Sequence, residues 1–189
     1  VISISEEVLS SYLEKIKSIG DAQKLIEQEE VAVRSGQGIS NLVEVILSGA
    51  IALSSSDIHI EPEDASIRLR YRLDGVLQDI AHIDAKIFHN VLMRIKLVSA
   101  MKLNLKNVAQ DGRFSIRLKG TEMEIRSSII PGTYGESVVM RVLNPETIAL
   151  TFDKLGIEPR LKSVFEEELS KPNGMILLTG PTGSGKTTT

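Results

Sequence analysis

Between Ile58 and Val142 the chain switches repeatedly between strand-like and helical spacing of its apolar residues. Ile58 and Ile60 point one way while Asp57, His59 and Glu61 point the other, and Ile67, Leu69, Tyr71 and Leu73 oppose Arg68, Arg70 and Arg72. This is the alternation of half-buried strands. Asp74-Gly75 predicts a hairpin turn into a further strand at residues 76–80, since tight hairpin turns need positive φ angles that Asp-Gly adopts readily. Phe114, Ile116 and Leu118 then alternate with Arg113, Ser115 and Arg117. After a Lys119-Gly120 turn, Met123 and Ile125 alternate with Glu122, Glu124 and Arg126, and Val138, Met140 and Val142 alternate with Val139 and Arg141.

Helical spacing frames these strands. Residues 1–38 carry Leu9, Leu13 and Ile16 on a helical repeat, with a break at Gly20 and a close at Gly36-Gln37-Gly38. A segment this short buries no core alone, so it predicts a helical N-terminal arm or linker. Residues 41–53 predict a helix with Ser40 as N-cap, Glu44 in the first turn and Leu42, Ile46, Ala50 and Leu53 on one face. A longer helix, capped by Asp84, aligns Ile87, Phe88, Val91, Leu92, Ile95 and Val98. Strands with one polar face, joined by tight turns, predict an antiparallel sheet with helices packed on one side: an α+β domain over residues 39–147. Residues 148–189 form a third segment. There Pro159 opens a helix with Leu161, Val164, Phe165 and Leu169 inward, and Pro172-Asn173-Gly174 ends it. The apolar run 175–178 predicts the first strand of a parallel α/β domain.

That run leads into Gly180-Pro181-Thr182-Gly183-Ser184-Gly185-Lys186-Thr187-Thr188-Thr189, which matches G-x-x-x-x-G-K-[ST] at each fixed position. In such a loop the backbone N–H groups around Gly180, Gly183, Ser184, Gly185 and Thr188 cradle phosphate oxygens. Lys186 reaches the β- and γ-phosphates, and the Thr187 hydroxyl ligates Mg²⁺. The expectation is a protein that binds a nucleoside triphosphate.

Composition narrows the remaining classes. The chain is 42% hydrophobic and 25% charged, with net charge −3, and the acidic surplus falls in residues 1–38, where 7 acidic residues face 4 basic ones. Elsewhere the signs balance, which gives no electrostatic reason to expect a nucleic-acid partner. No apolar run reaches the ~18–20 residues of a membrane span. The absence of cysteine excludes disulfides and thiolate metal sites. His59, His82 and His89 lack metal-ligand spacing.

Five short motifs in order carry a resemblance. Ser56-Asp57-Ile58-His59-Ile60-Glu61-Pro62, Arg70-Tyr71-Arg72-Leu73-Asp74-Gly75, Gln110-Asp111-Gly112-Arg113-Phe114, Gly135-Glu136 with Arg141, and the final phosphate loop resemble the signatures of the hexameric secretion ATPases of type II secretion and type IV pilus assembly. The resemblance covers residues 40–189 and lies nearer the assembly or secretion branch than the retraction branch. It implies that the sheet is PAS-like, a second N-terminal domain that packs against the ATPase core of a ring neighbour. It further implies that residues 148–189 begin a RecA-like domain. ATP and Mg²⁺ would be the ligands, the assembly a hexameric ring, the partners inner-membrane platform proteins, and the location the cytoplasm, peripheral to the inner membrane. On this resemblance the Walker B motif follows Thr189 and another domain precedes Val1. The expectation is therefore a piece of a longer motor that does not hydrolyse ATP alone.

Two readings of Arg126 and Arg141 stand at this point. By the resemblance, both reach toward the nucleotide phosphates, a task suited to a permanently charged, planar fork of donors. By sheet chemistry alone, both are surface arginines paired with Glu124 or Glu136 for about 0.2–1 kcal/mol. Arg113 is a third candidate, with a turn pairing to Asp111 as its alternative. The Arg68, Arg70 and Arg72 stripe reads as a solvated face opposite Asp57, His59 and Glu61, since Tyr71 lies on the other side and no stacking platform accompanies it. Leu155-Gly156 fits a turn near the adenine as well as an ordinary turn. For the whole protein, a filament-assembling ATPase and a nucleotide-binding scaffold with little hydrolysis are the competing classes, and a DNA-translocating ring is disfavoured by the charge balance.

Overall fold

Ser5 and Ser18 each start a helix by accepting a hydrogen bond from the backbone N–H three residues on, the usual role of a serine N-cap. They open α1 (Glu6–Lys15) and α2 (Ile19–Arg34), so the break between them falls at residues 16–18, and Gly20 lies inside α2. In this computed structural model, residues 4–36, 38–118, 120–144 and 156–180 are described. The elements continue with α3 (Ile39–Ala52), β1 (Asp57–Pro62), β2 (Ile67–Leu73), β3 (Val76–Ile83), α4 (Ala85–Val98), β4 (Gln110–Leu118), β5 (Thr121–Gly132), β6 (Gly135–Leu143) and α5 (Pro159–Leu169).

The six strands form one antiparallel sheet in the order β3-β2-β1-β6-β5-β4. The Asp74-Gly75 turn is left-handed at both residues, with φ of 49° and 82°, as a two-residue hairpin requires. The central pairing is non-local: β1 joins β6, with Asp57 opposite Arg141. Val138 and Met140 of β6 then lie beside Ile58 and Ile60 of β1 on the inner face, all fully buried.

Helices cover that inner face. α3 is buried on every side from Leu42 to Ala50, with α1, α2 and α4 packed against it. Tyr71 of β2 donates its hydroxyl to the Ile46 carbonyl at 2.7 Å. The segment expected to be an arm contributes Leu9, Tyr12, Ile16, Ala22, Ile26 and Val33 to this core. Of the predicted repeat, Leu9 and Ile16 lie in the core, while Tyr12 rather than Leu13 stands between them, and α3 is an element against which this segment packs. Two other expectations are corrected. The N-cap of α3 is Gly38, at φ 85°, rather than Ser40. Glu44 accepts the backbone N–H of Ser5 at 3.0 Å, tying the start of α1 to α3.

Contacts divide the chain into one compact unit, Val1–Leu143, and a second, Asn144–Thr189. In the second, α5 begins at Pro159 as its sequence predicts, but Leu161, Val164 and Leu169 are exposed. Residues 175–178, expected as a strand, pair with no strand among the described residues. A parallel strand holds its form only between neighbours that satisfy its backbone groups.

Candidate functional site

Every second residue of each strand reaches the outer face, and the register decides which of them meet. Arg113 of β4 lies opposite Arg126 of β5, Arg126 opposite Arg141 of β6, and Arg141 opposite Asp57 of β1. One step beyond the Ile58–Tyr71 pair, Arg72 of β2 donates its Nε to Asp57 Oδ2 at 3.1 Å. Arg113, Arg126, Arg141, Asp57 and Arg72 thus form a single transverse row. Like charges directly opposite each other work against a sheet. Two consecutive Arg–Arg pairs are therefore a cost that the fold's own stability does not explain.

The nearby carboxylates hold these arginines in a particular way. Arg126 donates its Nε to Glu124 Oε1 at 2.8 Å, and Arg141 donates its Nε to Asp57 Oδ1 at 2.9 Å. Arg113 lies 3.7 Å from Glu124, not against Asp111, which accepts from Ser128 instead. Both key arginines spend their Nε on a carboxylate, so these contacts leave their Nη groups for another acceptor. Their side chains are 65% and 64% exposed. Two shallow depressions run along the row: one of ≈ 230 Å³ includes Asp57, Arg126 and Arg141, and one of ≈ 450 Å³ includes Arg113, Arg126 and Ser128.

Asp57 differs from Glu124, the other carboxylate that holds an arginine of the row. It is buried, and burial alone raises a carboxyl pKa. Hydrogen bonds from Arg141 and Ser56, with the charges of Arg141 and Arg72, outweigh that and hold it below the usual range. Glu124 is also held low, chiefly by its hydrogen bond from Arg126. Glu136, an expected partner of the sheet arginines, is on the opposite face. Its carboxylate takes two 2.9 Å hydrogen bonds from the buried Lys96 of α4. The alternation that turns Val138 and Met140 inward turns Glu136 inward as well.

The short motifs now have physical roles. Gln110 pairs with both backbone groups of Lys102, and Gly112 allows β4 to pass the end of α4, where a Cβ would sit 2.2 Å from the Ser99 carbonyl oxygen. Those contacts fix the register that puts Arg113 in the row. The second arginine stripe is paired on the outer face but only partly exposed, not freely solvated as the sequence predicts: Arg68 pairs with Asp79, Arg70 with Glu61, and Arg72 with the buried Asp57. Of the phosphate loop, only Gly180 is described. Gly183, Ser184, Gly185, Lys186, Thr187 and Thr188 lie outside the described residues, as does Leu155.

An α+β sheet domain with an arginine row is thus followed, in the same chain, by a phosphate-loop sequence. The chain belongs to the Type II/IV secretion system protein family, whose model matches residues 33–189. It is 40% identical over 171 residues to the Type II secretion system protein E of Xanthomonas campestris pv. campestris, a match covering 90% of this chain and 30% of that protein. To the type IV pilus assembly ATPase PilB of Acinetobacter baylyi it is 43% identical over 150 residues, covering 79% and 26%. To PilB of Myxococcus xanthus it is 35% identical over 202 residues, covering 100% and 36%. The chain therefore spans about a third of the length of these relatives. The X-ray structure of the Legionella pneumophila ATPase DotB shares the fold, with a TM-score of 0.50 at 16% identity over 77% of this chain and 39% of that one. Among the described residues no helix is long and apolar enough to cross a membrane.

Proposed function

We propose that the chain is part of a Mg²⁺-dependent ATPase that assembles pilins or pseudopilins, in type IV pilus biogenesis or type II secretion. The observation that carries this reading is the row Arg113, Arg126 and Arg141, in which exposed guanidinium groups sit side by side on paired strands. A triphosphate is the ligand chemistry that such a row suits, because charge-assisted bonds to phosphate oxygens offset the repulsion between the arginines. The family membership and the names of the relatives support the same conclusion.

In this reading residues 39–147 act as the PAS-like second N-terminal domain, with α1 and α2 of the segment before it packed on its helical side. Residues 148–189 begin the RecA-like ATPase domain. Lys186 would meet the β- and γ-phosphates, the backbone around Gly180, Gly183, Ser184, Gly185 and Thr188 would cradle them, and Thr187 would ligate Mg²⁺. The metal supplies charge neutralisation of the phosphates. Arg126 and Arg141 would approach the same phosphates from the sheet domain, within a hexameric ring at the cytoplasmic side of the inner membrane and in contact with its platform proteins. Arginines delivered across such a junction contribute ~10³–10⁵ in rate in related phosphoryl transfers.

The test is steady-state ATP hydrolysis by the full-length protein beside Lys186→Ala, with nucleotide binding measured on both. Wild-type turnover that Lys186→Ala abolishes is the expected result. Nucleotide binding without wild-type turnover, even with the assembly partners added, would instead favour a scaffold.

A further inference from the structure

We propose that Asp57 is a positioning residue for the arginine row, holding Arg141 so that its Nη groups face outward. This rests on the proposed role of that row. The Asp57 side chain is only 8% exposed and divides its two oxygens: Oδ1 accepts Arg141 Nε at 2.9 Å, while Oδ2 accepts Arg72 Nε at 3.1 Å and Ser56 Oγ at 2.8 Å. One buried anion thereby sits between two guanidinium groups at the one point where the row is not a run of like charges.

Each contact has a consequence for Arg141. Ser56 and Arg72 fix the carboxylate, and Arg72 is itself anchored by donating Nη1 to the Gly75 carbonyl at 3.0 Å. The Asp57 carboxylate then bonds Arg141 at Nε, the nitrogen nearest the aliphatic stem, and so fixes the plane of the guanidinium without occupying its Nη end. Arg141 also faces Arg126 across the β5–β6 pair. Without the Asp57 charge, repulsion from Arg126 and Arg72 would act on Arg141 unopposed. A pre-set orientation matters because donors aimed in advance stabilise developing phosphate charge with no reorganisation at the moment of reaction. Arg126 is held in the same fashion by Glu124, but that carboxylate is at the surface and shared with Arg113. The buried clamp belongs to Arg141.

The experiment is a double-mutant cycle in the full-length protein: wild type, Asp57→Asn, Arg141→Ala and the double variant, each measured for kcat, KM and nucleotide affinity. Asp57→Asn keeps the side chain's shape and removes its charge. It is expected to lower kcat on the order of ten- to a hundredfold, the penalty of a misplaced catalytic group, with KM and nucleotide affinity near wild type. The double variant should turn over no more slowly than Arg141→Ala alone, because the role of Asp57 passes through Arg141. Additive losses, or wild-type kcat in Asp57→Asn, would overturn the proposal. Should Asp57→Asn fail to fold, Asp57→Glu carries the test, since it keeps the charge but moves it by one methylene. Reduced kcat in the folded Glu variant supports positioning, and wild-type kcat rejects it. Full turnover in Arg141→Ala would instead defeat the underlying reading of the row.

Discussion

Arg126 and Arg113 are dispensable to the fold by their contacts alone. Each is largely exposed and, among the described residues, has Glu124 as its one ion-pair partner, and exposed pairs are worth about 0–1 kcal/mol. Replacing either by alanine in the 189-residue chain should shift the urea midpoint little, and relief of the Arg113–Arg126 opposition offsets part of the loss. Asp57 behaves differently. Its carboxyl is held below its unfolded value of ~3.9. The stability it contributes is therefore complete above that value and is lost as pH falls through the lower folded value. Urea unfolding at a series of pH values between about 5 and 2.5 should show wild type losing more stability than Asp57→Asn across that window. Equal slopes would mean that the arginines do not hold this carboxylate.

The strands were legible because period two is a local property, and the Asp74-Gly75 hairpin because its turn chemistry is local too. The row was not legible as a row. It depends on pairing Asp57 with Arg141, a contact 84 residues apart in sequence, and no alternation within one strand encodes that register. Arg113, Arg126 and Arg141 could be named singly from the sequence, while their alignment and the clamp at Asp57 could not. The Lys96–Glu136 pair does carry a local signal in the sequence. Lys96 follows Phe88 and Leu92 on the buried face of α4, and Glu136 shares the inward parity of Val138 and Met140. Breaking a buried pair from one side leaves an uncompensated charge, so Glu136→Ala should cost about 3–5 kcal/mol in the 189-residue chain. The double replacement Lys96→Met with Glu136→Leu should cost clearly less. At Gly112 the predicted effect is steric. A methyl group there meets the Ser99 backbone oxygen, so Gly112→Ala should destabilise by about 1–3 kcal/mol or more, read from the shift in thermal or urea midpoint.

On the scale of the molecule, the unit Val1–Leu143 accounts for its own core, while the apolar side of α5 and residues 175–178 is exposed among the described residues. The sequence pattern that predicted an inward face on α5 reported a real amphipathic helix; it carried no information about which surface covers it. In the proposed motor, the sheet domain brings arginines and the following domain brings the phosphate loop, so turnover requires both. The most direct measurement is steady-state Mg²⁺-ATPase of the full-length protein with Arg126→Ala and Arg141→Ala, alongside nucleotide affinity for each. Loss of kcat by at least about tenfold at unchanged affinity, in folded variants, is the predicted result and marks interactions made in the transition state. Turnover within about twofold of wild type in both variants would contradict it and leave the row as a charged surface.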